Sequence, residues 1–160
     1  MAPRALVILI FTSGIGLAEG ALRYLRQGEQ RAQQPVTVTE AGDHSMALSD
    51  GQRWFGLNTG VAIYPGHAGL WSPFEHQHRI RAEDIDLVAK QGVDKIFVGK
   101  GMNGDGVAQL EPDAKERLAE LEKHGVHPYV SNTPTATAKF NDAVKASADG
   151  TVAGLFHTGC

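Results

Sequence analysis

The densest run of chemistry-bearing residues is Gly99-Lys100-Gly101-Met102-Asn103-Gly104-Asp105-Gly106. It satisfies the letter of G-x-G-x-x-G, and such a loop can bring backbone N–H groups against a phosphate. A dinucleotide fingerprint needs its helix to open inside the motif, so that the helix N-terminus meets the pyrophosphate. Here the next helical pattern opens near Glu111, and Glu111 and Asp113 would set negative charge where a phosphate should lie. The run therefore reads as a flexible strand-end loop, with Lys100 as the group able to pair with an anion. A second constellation is Glu75-His76-Gln77-His78, in which two His on one side of a strand could ligate a metal. Zinc needs a third and usually a fourth ligand, and no spacing singles out His67 or Glu75, so a solvated or hydrogen-bonded pair is the simpler reading. A third is Phe156-His157-Thr158-Gly159-Cys160, a thiol close to an imidazole. A terminal Cys lacks the fixed geometry that nucleophilic catalysis requires. No Ser-His-Asp spacing and no carboxylate pair in an apolar frame stands out, so no catalytic residue, metal ligand or cofactor is assigned.

The elements around these residues follow from periodicity and punctuation. Ala82 to Gln91 places Ile85, Val88 and Ala89 on one helical face and stops at Gly92. Lys95-Ile96-Phe97-Val98-Gly99 is a buried strand. Glu111 to His124 is a helix with Pro112 in its first turn, Leu118 and Leu121 on one face, and Gly125 at its end. Val126 to Ser131 is a strand that Pro128 assigns to an edge or to a late start. Thr133 is read as a helix N-cap with Pro134 first inside, and the helix runs through Phe140 and Val144 to about Ala148. Asp149-Gly150 turns, and Thr151 to His157 is the last strand. This alternation predicts a three-layer α/β fold with a mostly parallel, mixed central sheet. The front half reads differently. Val36-Thr37-Val38-Thr39, Trp54-Phe55-Gly56 and Val61-Ala62-Ile63-Tyr64 are short strands around Ser49-Asp50-Gly51 and Pro65-Gly66, which predicts a small antiparallel β part. Trp54, Tyr64, Trp71 and Phe74 are read as core, with a partner-binding patch as the alternative.

Ala5 to Phe11 is an apolar run after one Arg, leading into Ser13-Gly14-Ile15-Gly16-Leu17-Ala18. It reads as a buried strand before a turn and helix, or as a cleaved targeting segment over residues 1–18. Glu19 interrupts it too early for a membrane span. The glycine turn imitates that of short-chain dehydrogenases, but Leu9 and Ile10 stand where Thr and Gly belong. Residues 1–44 are taken as an N-terminal extension and 45–160 as one α/β domain. With 42% hydrophobic and 21% charged residues the composition is globular, and 160 residues exclude a large multidomain enzyme. A net charge of −3 supplies no basic field for nucleic acid, and one Cys excludes an internal disulfide.

From about Ser45 onward the chain resembles a known family. The resembling residues are Tyr64-Pro65-Gly66, Trp71, Glu75-His76, Ile96-Phe97-Val98-Gly99-Lys100-Gly101-Met102 and Thr133 to Asn141, with Phe156-His157 and Cys160 at the end. The family includes the adipogenesis-associated domain proteins of animals, the mitochondrial complex I assembly factor 3, and many small bacterial and archaeal relatives. The resemblance implies the same three-layer α/β fold and, in one branch, the binding of other assembly proteins. The loop Gly99 to Gly106 is longer and richer in Gly than the family pattern. The expected function is a non-enzymatic protein-binding or assembly-factor-like domain in the cytoplasm (exported or organellar if residues 1–18 act as a targeting segment), with a protein partner, no nucleic acid and no stable membrane span. Oligomeric state is left open. The rival reading is a small-molecule or anion binder, or an enzyme, whose crevice is formed by Gly99, Lys100, Gly101, Met102, His76, Asn132 and Thr133. Asn132 and Thr133 enter because a helix N-terminus offers N–H groups.

Overall fold

The computed structural model describes residues 30–31, 35–55, 60–71, 78–104, 106–147 and 151–159. The apolar run Ala5–Phe11 with its glycine turn, and Phe74, His76 and Cys160, lie outside these residues. In chain order the elements are β1 (Gln30–Arg31), β2 (Val38–Gly42), β3 (Ser45–Leu48), β4 (Arg53–Phe55), β5 (Gly60–Tyr64), β6 (His67–Trp71), β7 (Arg79–Ile80) and α1 (Ala82–Ala89). There follow β8 (Lys95–Gly99), β9 (Gln109–Leu110), α2 (Pro112–Lys123), β10 (His127–Ser131), α3 (Thr133–Ala146) and β11 (Val152–His157).

The central sheet is mixed and has the order β1-β6-β5-β11-β8-β10. Strands β11, β8 and β10 run parallel, as the helix-strand alternation of the back half requires. Strands β5 and β6 extend the same sheet antiparallel, with His157 opposite Gly60 at the β5–β11 seam. The separate antiparallel part is β2-β3-β4, and β7 and β9 form a two-residue parallel pair. β2 lies ahead of Ser45, yet Val36 and Val38 are packed into the core.

Period-two alternation sends the central strands into two cores. Ile96, Val98, Ala153 and Leu155 face α1 and α2, meeting Ile85, Val88, Leu118 and Leu121. Phe97, Val152 and Phe156 face the other way, onto Ala136 and Phe140 of α3 and onto Val38, Met46 and Trp54 of the small sheet. Phe140 stands edge-on to Phe156, with ring centroids 5.3 Å apart, and to Phe97 at 6.0 Å. The start of α1 is tied to the sheet by Asp84, which accepts from Trp71 Nε1 at 2.9 Å and from the Arg81 N–H at 2.8 Å. Arg117 of α2 donates across to Asp86 of α1 and, within α2, to Glu120, both at 2.7 Å. These two hydrogen bonds, Asp86 first, push its guanidinium above its ordinary value.

β10 is an outer strand of the sheet, in line with the edge position that Pro128 implies. His127 N–H donates to Asp94 O at 2.7 Å, and Lys100 N–H donates to Ser131 O at 2.9 Å. Backbone groups alternate along a parallel ladder, so His127, Tyr129 and Ser131 face β8 while Pro128 and Val130 face outward. Pro128 has no N–H, so among the interior strand residues only Val130 offers an outward donor. That is a poor template for a further strand.

Candidate functional site

The three parallel strands end side by side, with Gly99 opposite Ser131 on one flank and Phe156 on the other. Ligand sites of α/β sheets lie beyond such carboxyl ends. Here the region is closed by the first turn of α3, which sits directly over Gly99. A Cβ on Gly99 would lie 2.7 Å from Thr133 Oγ1 and 2.9 Å from Thr133 Cα. Glycine is therefore needed for the helix to seat on the strand.

Thr133 is fully buried and is the hub of this junction. Its hydroxyl donates to His157 O at 2.6 Å and accepts from the Gly101 N–H at 3.0 Å. Its own N–H donates to Gly101 O at 2.7 Å. The helix cap is Asn132 rather than Thr133, with Asn132 Oδ1 accepting from Thr135 N–H at 2.9 Å. The physical reason is that the threonine hydroxyl is already engaged by two strand ends, leaving the preceding Asn to cap. Asn132 Nδ2 reaches back to Gly104 O at 2.8 Å, which fastens the loop to the helix.

The loop is bonded internally as well. Gly106 N–H donates to Asn103 O at 2.8 Å and Ala108 N–H to Lys100 O at 2.7 Å. Gly106 has φ of +83°, and its Cβ position is occupied by Lys100 Cβ. Gly99 and Gly106 thus serve close backbone approach. The amides of Lys100, Gly101, Gly106, Ala108, Thr133, Thr135 and Ala136 all have acceptors within the chain. An anion cradle needs these groups pointing outward and unengaged.

Of the seven crevice residues read from sequence, Gly99, Gly101 and Thr133 are buried, while Lys100, Met102 and Asn132 are half-buried. These six are brought together; His76 lies outside the described residues. Two residues join them that the crevice reading omitted. The buried imidazole of His157 places Nε2 3.1 Å from Nδ1 of half-buried His78. The rings meet edge-on at 64°, with centroids 5.2 Å apart. One ring nitrogen must donate and the other accept across this contact. His78 adopts a left-handed backbone, φ +63°, while its carbonyl accepts from the Gln109 N–H at 2.9 Å. His78 belongs to the Glu75–His78 run singled out from sequence; its ring contact is with His157, while His76, its expected partner there, lies outside the described residues. Nothing local links His78 to His157, 79 residues on. No group of three or more His, Cys, Asp or Glu among the described residues could hold a metal ion.

Fold and site together define a three-layer α/β domain whose glycine loop forms a self-bonded rim over the strand ends. The chain belongs to the family described as "Protein of unknown function (DUF498/DUF598)", which it matches over residues 38–157. Among solved structures it is similar to a conserved hypothetical protein from Pyrococcus horikoshii, with 16% identity, TM-score 0.58, and 78% of this chain and 99% of that one covered. A protein from Bordetella parapertussis gives 20% identity and TM-score 0.59, covering 79% and 98%. A structure described as an outer membrane protein of Bartonella henselae gives 16% identity and TM-score 0.58, also covering 79% and 98%. At these identities the likeness is one of fold. Among the described residues no helix is long and apolar enough to cross a membrane.

Proposed function

We propose that this protein is a protein-binding domain of the assembly-factor type, and that the described residues of the rim, 100–104 and 106–108, with the adjoining start of α3 are its contact surface. One observation carries the reading. The amides of the rim that have acceptors have them inside the chain, so the loop is held as a stiff projection, while Val107 stands 48% exposed on it. A rigid crest with an exposed apolar side chain suits contact with another protein. The resemblance of Ile96–Met102 and Thr133–Asn141 to a family in which one branch binds other assembly proteins supports the same reading. It extends to a link with respiratory-complex assembly and to the cytoplasmic location expected from sequence.

The test is affinity purification from the native cell after mild crosslinking, read by mass spectrometry and repeated on fractionated cells. A partner at near-equal amount, lost in Val107→Glu while the circular dichroism spectrum is kept, is the expected result. Recovery of the chain alone, or a partner indifferent to Val107→Glu, would overturn it.

A second reading, small-molecule binding at the same strand ends, is favoured by the His78–His157 contact, because left-handed non-glycine backbone clusters at ligand sites. Ring-nitrogen resonances of the two His would move on ligand addition under this reading and stay fixed under the first.

A further inference from the structure

We propose that the Asn103–Gly104 peptide is a site of spontaneous covalent modification, at which the Asn103 carboxamide is converted to a carboxylate through a cyclic imide. The step needs only solvent. The Gly104 backbone nitrogen gives up its proton to the medium and attacks Asn103 Cγ. A new C–N bond closes the five-membered imide, the Cγ–NH2 bond breaks, and ammonia leaves with a proton from water. Water then opens either imide carbonyl, giving an aspartyl or an isoaspartyl linkage. No oxidant or reductant enters.

Three observations single out this peptide. Asn103 and Gly104 are both exposed, nothing lies within 4 Å of the Cβ position of Gly104, and glycine has no side chain to obstruct attack by its own nitrogen. Neither the Asn103 carboxamide nor the Gly104 N–H has a hydrogen-bond partner among the described residues. The other two Asn of the described residues are held. Asn132 is engaged by Thr135 and Gly104, and Asn141 by the N–H and the carbonyl of Val38, at 2.9 and 2.7 Å. They are also followed by Thr133 and Asp142, whose side chains obstruct the same attack.

Conversion would place a carboxylate on the rim near Lys100. The isoaspartyl form would also insert a main-chain carbon into the turn that Gly106 N–H and Asn103 O close. The modification itself stands whether or not the rim binds a protein.

The experiment is incubation of the folded full chain in mildly alkaline buffer, with timed tryptic peptide mapping. Asn103, Asn132 and Asn141 fall in three separate peptides, 101–115, 124–139 and 140–145. The expected result is a gain of about 1 Da in peptide 101–115. That peptide also splits into aspartyl and isoaspartyl forms. Its rate exceeds those of the other two by roughly tenfold, the equivalent of roughly 1.4 kcal/mol in barrier. In Asn103→Gln the gain disappears from that peptide. Equal rates at the three sites, or no conversion of Asn103 in the folded chain while a urea-unfolded sample converts, would overturn the proposal.

Discussion

Thr133 shows how much one hydroxyl can decide. Its oxygen joins the ends of β8 and β11 to the start of α3, donating to His157 O and accepting from the Gly101 N–H. Thr133→Val keeps the shape and removes both bonds, leaving two buried backbone groups without this partner. Each such loss costs about 1–3 kcal/mol, so urea denaturation should show a destabilisation of about 2–6 kcal/mol. Thr133→Ser retains the hydroxyl and should recover most of it. Equal losses in the two variants would show that the methyl group, not the hydroxyl, matters. Gly99→Ala tests the same junction from beneath. The added methyl meets Thr133 backbone, and overpacking of this kind costs about 1–3 kcal/mol. Sequence reasoning made Thr133 the helix cap, a role that Asn132 fills, and missed its bridging role, because a threonine before proline carries the same local signature whether it caps or bridges.

At the level of elements, the small sheet is held to the rest of the molecule by more than apolar contact. Asn141 on α3 accepts from Val38 N–H and donates to Val38 O, as a neighbouring strand would. Asn141→Ala removes that pair at a cost of about 1–2 kcal/mol. Amide exchange should locate the effect, with protection lost at Val38 and kept at Val98. β10 carries a different device. Pro128 leaves its outer edge short of donors, and Pro128→Thr restores one. The expected outcome is concentration-dependent association seen by light scattering, absent in the parent chain. The elements of the back half were legible because each has its own punctuation: Gly92, Pro112, Gly125 and Pro134 stand at their ends. β7 and β9 were not, since a two-residue strand carries no period, and their pairing of Arg79 with Gln109 exists only once α1, β8 and the loop after β8 are folded between them.

Across the whole molecule, one sheet serves two cores, and each core holds one tryptophan. Trp71 lies with α1 and α2, and Trp54 lies with α3 and the small sheet. Because β8 and β11 contribute side chains to both sides, neither layer should melt alone. In Trp54→Phe the fluorescence reports Trp71, and in Trp71→Phe it reports Trp54. Each transition should coincide with that variant's own far-ultraviolet circular dichroism transition. Trp71→Phe should unfold earlier, because Asp84 loses the indole donor. An early Trp54 transition would mean that the small sheet unfolds separately.

By itself the sequence determined the α/β class, the parallel core of β8, β10 and β11, the helices that cover it, and the glycine loop at its carboxyl end. All of these are written in local periodicity and in residues that start or stop an element. Only the tertiary structure decided that β5 and β6 join the same sheet antiparallel. It also decided that the amides of Lys100, Gly101, Gly106 and Ala108 turn inward, and that His78 meets His157. These are contacts between residues far apart in the chain. Their partners are selected by which faces and strand ends packing brings together, and no spacing along the sequence encodes that choice.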